Sequence, residues 1–330
     1  MKVGTCLSMA TALALALLAG TLSVSDARAQ VYPSGPVKII MPAGAGNGPD
    51  VIGRIAADHL SRLWGQQAVV INHPGAGGAI AIRVAGNAPR DGYTLLQALS
   101  SGFVALPEVQ ATFPFDLVRD FVPIGLVGEQ PMLIAAPTSL GINSLPDLFA
   151  LAKKRPGGIN VAVLSRGGLP HLTAEWLRTA SGADMTLVHY PSAPQALTDA
   201  LAGRVDAMVE SLPAVAGAVT GGSLKVLALG SPERLSDFPG VPTVAETLPG
   251  FRSMGWSALM APPGTPEPIA RKVSDDLRTV LARPELQQRY RELATYVRPM
   301  TPVELLTFAR NEQQRWKPVI ARIGMAQKRD

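Results

Sequence analysis

Apolar and polar positions along this chain change period in a repeating order. Residues 37–41 (VKIIM) form a short apolar run that meets a glycine-rich turn, PAGAGNGPD. Beyond it Val51, Ile52, Ile55, Ala56, Leu60 and Leu63 recur at spacings of three and four, the period of a helix with one apolar face. A second apolar run at 68–71 meets a second glycine-rich turn, NHPGAGG, and a second helical pattern begins. Strand, glycine loop and helix therefore occur twice in one short span. If the two strands are parallel neighbours, both loops lie at one sheet edge and both helix N-termini point into one crevice. Helix N-termini carry unpaired N–H groups and partial positive charge, which suits an anion such as a carboxylate or phosphate.

The same order continues. Asp91-Gly92 marks a turn before a strand over residues 93–96, which ends in a loop carrying Ser100 and Ser101. Residues 113–120 (FPFDLVRD) read as an irregular connection, and strands are predicted over 121–127 and 132–136. Ser144 and Pro146 start a helix over 144–154. A strand over 159–164 then meets the loop Ser165-Arg166-Gly167-Gly168 and a helix over 171–179. A strand over 185–190 meets Pro191-Ser192-Ala193-Pro194 and a helix over 195–202. Strands at 206–209 and 224–230 flank another loop and helix beginning at Glu210. Residues 253–261 read as a strand returning to the first half, and helices over 267–282, 285–294 and 303–323 fill the tail. Alternating strands and helices in both halves predict an α/β protein of two lobes. The expected lobes are residues 30–129 with 251–330, and residues 130–250.

Two nucleotide-binding loops fail against the first unit. Pro49 stands where G-x-G-x-x-G needs its third glycine, and Asn72 replaces the acid that would hold a ribose hydroxyl. No Lys followed by Ser or Thr follows a glycine loop as a phosphate loop requires. At the N-terminus, Lys2, an apolar core at 11–19 and Ala27-Arg28-Ala29 read as a secretory signal over residues 1–29, so the mature protein is expected in the periplasm. Cys6 is the only cysteine and leaves with that segment, which removes disulfide and thiol chemistry from the mature chain. Losing Lys2, Arg28 and Asp26 lowers the formal charge from +5 to +4. Without a basic run interleaved with aromatics, nucleic acid is not an expected partner.

The candidate chemistry is that of binding. His59, His73, His171 and His189 show no metal-ligand spacing, no G-x-S-x-G elbow exists, and no catalytic residue, metal or cofactor is expected. His171 at a helix start reads either as a partner of its own loop or as a ligand contact. Arg166 reads as a surface residue or as the clamp for a second carboxylate. Asp206 reads as a turn residue, or as one that holds a loop or a ligand amine. Trp64, Trp176, Trp256 and Trp316 fit packing better than a stacking platform.

The stretches YPSGPVKIIMPAGAGNGPDVIGR, VVINHPGAGGAI, APRDGYTLL, DLVRDFVPIG, HLTAEWL, PQALTDALAGRVDAM, GVPTVAE and LMAPPGTPEPI run through nearly the whole mature chain. In that order they resemble the Bug-type (Bordetella uptake gene) extracytoplasmic solute receptors of tripartite tricarboxylate transporters. The resemblance implies a two-lobed periplasmic binding protein of type II, closing by a hinge on a small organic carboxylate. It also implies no catalysis, and the protein is expected to be a monomer that hands its ligand to membrane permease subunits. A sensor feeding a signalling partner, or an exported α/β hydrolase, remain the alternatives. The expected ligand residues are Ala43, Gly44, Gly46, Asn47, Gly48, Ala76, Gly77, Gly78, Ser100 and Ser101 from the first lobe. Val163, Ser165, Arg166, His171, Ser192 and Asp206 are expected from the second.

Three departures from the family pattern bear on the ligand. Ala43 stands where Phe is usual, Val163 where Ser is usual, and Pro191-Ser192 where Lys-Gly is common. Together with Leu164 they favour a bulkier, more apolar acid, aromatic or aliphatic, over citrate or aspartate. The first carboxylate is expected on backbone N–H groups of residues 46–48 and 76–78.

Overall fold

Strand β1 (Val37–Met41) pairs in parallel with β2 (Ala68–Asn72) on one side and with β3 (Thr94–Leu99) on the other. Both glycine turns thus leave the same sheet edge, as the apolar pattern predicts. The computed structural model describes residues 32–326, and the features below belong to the unit that begins at Gly35. The expected signal segment and Cys6 lie outside the described residues.

Helix α1 (Gly48–Trp64) follows β1, with Pro49 in its first turn and Gly65 closing it in the left-handed conformation. Ile52, Ala56 and Leu60 form its buried stripe, each large side chain there contributing about 1.5–3 kcal/mol by burial. After β2 come a 3-10 turn (Ala76–Gly78) and α2 (Ala79–Gly86). After β3 come two short helices, α3 (Ser100–Val104) and α4 (Leu106–Val109).

The long strand β4 (Val122–Pro137) is the spine of the molecule. The sequence predicts two strands here because Gly128-Glu129-Gln130-Pro131 interrupts the apolar run. One strand forms instead, and register shifts at Pro123/Gly125 and Leu126/Gly128 absorb the irregular residues.

The second half repeats the alternation with α5 (Leu145–Lys154), β5 (Ile159–Leu164), α6 (Leu169–Ser181), β6 (Met185–Tyr190), α7 (Ala193–Leu201), β7 (Ala207–Ser211), α8 (Leu212–Thr220) and β8 (Leu224–Leu229). The chain returns through β9 (Met254–Ala261) and ends in α9 (Glu267–Leu281), α10 (Pro284–Glu292) and α11 (Pro302–Arg322).

The sheet order is β2-β1-β3-β9-β4-β7-β5-β6, with β8 also on β4. The first part of β4 pairs antiparallel with β9, and its last residues pair with β7 and β8. Two lobes therefore share one strand. The first is built on β1–β3 and β9, the second on β5–β8. Parallel pairing of β5 with β6 and β7 brings the strand-end loops of the second lobe to a common edge. No helix among the described residues is long and apolar enough to cross a membrane.

Candidate ligand-binding site

The first loop is held by a side-chain network that starts from Asp50, buried in the opening turn of α1. Its carboxylate accepts hydrogen bonds from the Gly46 N–H (2.9 Å), Arg54 Nε (3.0 Å) and Asn72 Nδ2 (2.8 Å). Asn72 also donates to the Ala43 carbonyl (2.9 Å) and accepts from Arg54 (2.8 Å). This buried acid thus fixes the loop's shape, and the Asn at the end of β2 ties the two units together.

The cavity lies where strand-end loops of both lobes meet. The first lobe contributes Pro42, Ala43, Asn47 and Pro49 from the first loop, Gly77 and Gly78 from the second, and Leu99, Ser100 and Ser101 after β3. Strands β4 and β9 contribute Gly128, Gln130 and Met132, and Gly255, Trp256 and Ser257. The second lobe contributes Leu164, Ser165, Gly168, Leu169 and Pro170 after β5, and Glu210 near the end of β7. Much of this wall is apolar. Its polar groups are mostly hydroxyls and amides, and Glu210 is the one ionisable side chain among the lining residues.

Several polar groups are held in place from behind. Gln130 donates to Thr295 Oγ1 (3.1 Å), and Ser257 Oγ accepts from Gln97 Nε2 (3.2 Å). Trp256 packs against Phe103, with ring centroids 4.7 Å apart, and its buried indole Nε1 has no hydrogen-bond partner. Glu210 is buried as well. Its Oε1 accepts from the Ser211 N–H (2.8 Å) and Oγ (3.0 Å), while Oε2 has no partner. Burial pushes this carboxyl up to about 7, against the two Ser211 donors that favour its charged form.

Of the residues expected from sequence, Ala43, Asn47, Gly77, Gly78, Ser100, Ser101 and Ser165 line the cavity. Gly44 and Ser192 stand at the contact between lobes, where a Cβ on Gly44 would lie 2.9 Å from the Pro191 carbonyl oxygen. Gly46 sits there too, against Pro194. Gly48 faces Ser211 so closely that a Cβ would fall 1.9 Å from its Oγ. Asn47 joins the lobes directly: its Oδ1 accepts from the Ala193 N–H (2.8 Å), the first residue of α7.

The other expected residues stand outside the lining. Ala76 opens the 3-10 turn, and its carbonyl accepts from Gln110. Val163 is buried in the apolar core, since strand alternation turns it away from the side that Leu164 presents. Arg166 is exposed. His171 is buried, and its Nδ1 accepts from the Gly167 N–H (3.1 Å), which leaves the ring proton on Nε2 facing Glu175. Burial, then the neighbouring His189, lowers its pKa to about 4, and the Arg166 charge acts in the same direction. Asp206 accepts from Arg155 (2.5 Å) and the Asn160 N–H (2.8 Å), bracing the start of β7.

The expected backbone donors are partly engaged within the protein. The N–H groups of Gly46, Asn47 and Gly78 donate to Asp50, the Gly44 carbonyl and the Gly75 carbonyl. Ala76 and Gly77 open their turn, where helix geometry supplies no intrahelical acceptor. Sequence reasoning missed Glu210, Gln130, Ser257 and the cavity role of Trp256. The one available signal was an acid directly after the apolar run Ala207–Val209, where an extended strand projects alternate side chains into a loop crevice.

A cleft lined by strand-end loops of two α/β lobes defines a solute-binding protein. The chain belongs to the tripartite tricarboxylate transporter receptor family, whose model matches residues 52–325. It is 33% identical to Protein BugT of Bordetella pertussis over 298 residues, 90% of this chain and 91% of that relative. The solved periplasmic binding protein BugD superposes with a TM-score of 0.84 at 29% identity, over 90% of this chain and 100% of that one. Rpa4515 of R. palustris, solved with adipate, superposes at 0.85 and 28% identity over 89% and 99%. The protein is thus a two-lobed solute receptor of the periplasmic binding protein fold, and its family is one of receptors, not enzymes.

Proposed function

We propose that this receptor captures a small organic carboxylate with an apolar body between its lobes and delivers it to permease subunits in the membrane. The carrying observation is the cavity wall, which combines the Gly77–Gly78 turn, Ser100 and Ser101 with the apolar residues Leu99, Met132, Leu164, Leu169 and Trp256. Polar donors of the wall hold a carboxylate, and its apolar residues favour a ring or alkyl chain over the hydroxyls of citrate. The related Rpa4515, solved with adipate, supports a carboxylate ligand.

In this reading the protein is exported by residues 1–29, acts as a monomer, and closes its lobes (residues 30–129 with 251–330, and residues 130–250) about β4 and β9. The exposed side chain of Arg166 implies that one carboxylate suffices, so Arg166→Ala should change affinity less than about threefold. Mass spectrometry of ligand released from protein purified without refolding, followed by a thermal-shift screen of carboxylates, tests the assignment. A ligand at a hundred times its dissociation constant should add about 2.7 kcal/mol of stability. If the released compound carries no carboxyl group and no carboxylate in the screen stabilises the protein, the assignment fails.

A further inference from the structure

We propose that Glu210 meets the ligand as a neutral carboxylic acid, donating a hydrogen bond from Oε2 to a carboxylate oxygen, so that capture requires one proton in the cavity and weakens as pH rises. The proposal rests on the carboxylate-receptor reading above and adds the chemistry of its second contact.

The geometry assigns the two oxygens different roles. Oε1 accepts from both the backbone N–H and the hydroxyl of Ser211. A proton on Oε1 would compete with those donors, so the acid proton belongs on Oε2. That atom is buried without a partner, on a side chain only 2% exposed that lines the cavity. A buried carboxylate with no counter-ion is strongly disfavoured, and a ligand carboxylate entering the same space would add a like charge. Carrying the proton removes both penalties and makes Oε2 a hydrogen-bond donor on a residue that lines the cavity.

No charged group on the surrounding elements offsets this. On β4, Leu133 is the cross-strand partner of Glu210, and Glu129 is paired with Arg298. On α6, His171 faces Gly167, Glu175 and His189, while Glu175 pairs with Arg178. Asp199 on α7 faces Tyr190 and Arg204, and Asp206 before β7 faces Arg155 and Asn160. Asp50 of α1 is engaged with Gly46, Arg54 and Asn72. Strand β5 and helix α8 carry no ionisable side chain. The raised pKa of Glu210, about 7, agrees with this surrounding.

Calorimetry with benzoate and adipate at about pH 6.5 and about pH 9, where both acids are ionised, tests the proposal. Wild-type affinity should fall about tenfold for each pH unit above about 7. At the higher pH, titrations in buffers of different ionisation enthalpy should report uptake of about one proton per ligand bound. Glu210→Gln offers an amide N–H2 to the cavity and an oxygen to Ser211. It should lose the pH dependence and the proton uptake, and bind more tightly than wild type at the higher pH. Wild-type affinity that is flat with pH, without proton uptake, overturns the proposal and leaves the carboxylate reading standing. Affinity for either acid that rises with pH shows that Glu210 does not meet the ligand as a proton donor, and overturns it as well. If neither these acids nor others bind at either pH, the carboxylate reading fails. Infrared difference spectra of ligand-free wild type against Glu210→Gln then decide the proton alone. A protonated-carboxyl band at the lower pH that vanishes at the higher one supports a neutral Glu210, and its absence at the lower pH overturns it.

Discussion

Glu210 and His171 are both buried, both shifted, and opposite in their effect on stability. The Glu210 carboxyl sits at about 7 in the folded chain against 4.5 in an exposed one. Below about 4.5 it is protonated in both states. Between there and about 7 the folded protein retains a proton that the unfolded chain has released, so its contribution to stability falls as pH rises through that window and is constant above it. The size is about 3 kcal/mol. His171, lowered to about 4 from 6.5, contributes above 6.5 and loses that contribution as pH falls toward 4. Glu210→Gln removes only the first slope. Urea unfolding of the ligand-free protein at about pH 4 and about pH 8 should therefore show the variant gaining about 3 kcal/mol on wild type between the two. Parallel pH profiles would contradict this. Neither residue's environment was legible in the sequence. The apolar run predicts a strand that ends at Val209 and so places Glu210 in a loop, and the helix-start position of His171 admits two roles that only its hydrogen bond to Gly167 separates.

The strand–glycine loop–helix unit is the level at which the sequence was most informative. Period alone gave the strands β1, β2, β5 and β6 and the helices after them, because each is a short, largely apolar run or an amphipathic stripe. It did not give the continuity of β4, since bulges that accommodate proline and glycine depend on the partner β9. Nor did it show that a glycine loop can spend its N–H groups internally, as Gly46 does on Asp50. Gly48 illustrates what such a loop does instead. Its missing side chain lets the start of α1 approach the end of β7, where a Cβ would lie 1.9 Å from Ser211 Oγ. Gly48→Ala should keep the fold but hold the two elements apart. Affinity for a bound carboxylate should drop at least about tenfold, equivalent to about 1.4 kcal/mol. Adding Ser211→Ala, which leaves a 3.2 Å approach to Cβ and one of 3.5 Å to Gln130 Oε1, should recover part of it. An unchanged dissociation constant in the single variant would show that this approach does not matter for capture.

At the scale of the whole molecule, the two lobes share β4 and meet again across the cleft through Asn47 and Ala193. The buried Asn47 side chain caps a helix of the opposite lobe, so the bond exists only when the lobes are together. Asn47→Ala removes it and leaves the first N–H of α7 without that acceptor, at a cost of about 1–2 kcal/mol to the closed form. Small-angle scattering at saturating ligand should show wild type more compact than its free form, and the variant should need about tenfold more ligand to reach the same state. Equal ligand requirements would remove Asn47 from the closing contact. The two-lobed architecture was legible in the alternation of elements and in the resemblance to Bug-type receptors. The wall of the cavity was not, because Met132, Leu169 and Trp256 come together only through β4, α6 and β9. That wall carries the central claim, that the ligand is a carboxylate with an apolar body. Calorimetry of the wild-type protein against benzoate, a benzene dicarboxylate, adipate, malate, citrate and aspartate at about pH 6.5 tests it most directly. An acid with an aromatic or alkyl body should bind at least about a hundredfold more tightly than citrate or aspartate, a difference of about 2.7 kcal/mol. Tight binding of citrate or aspartate, with no heat from the aromatic acids or adipate, would contradict it.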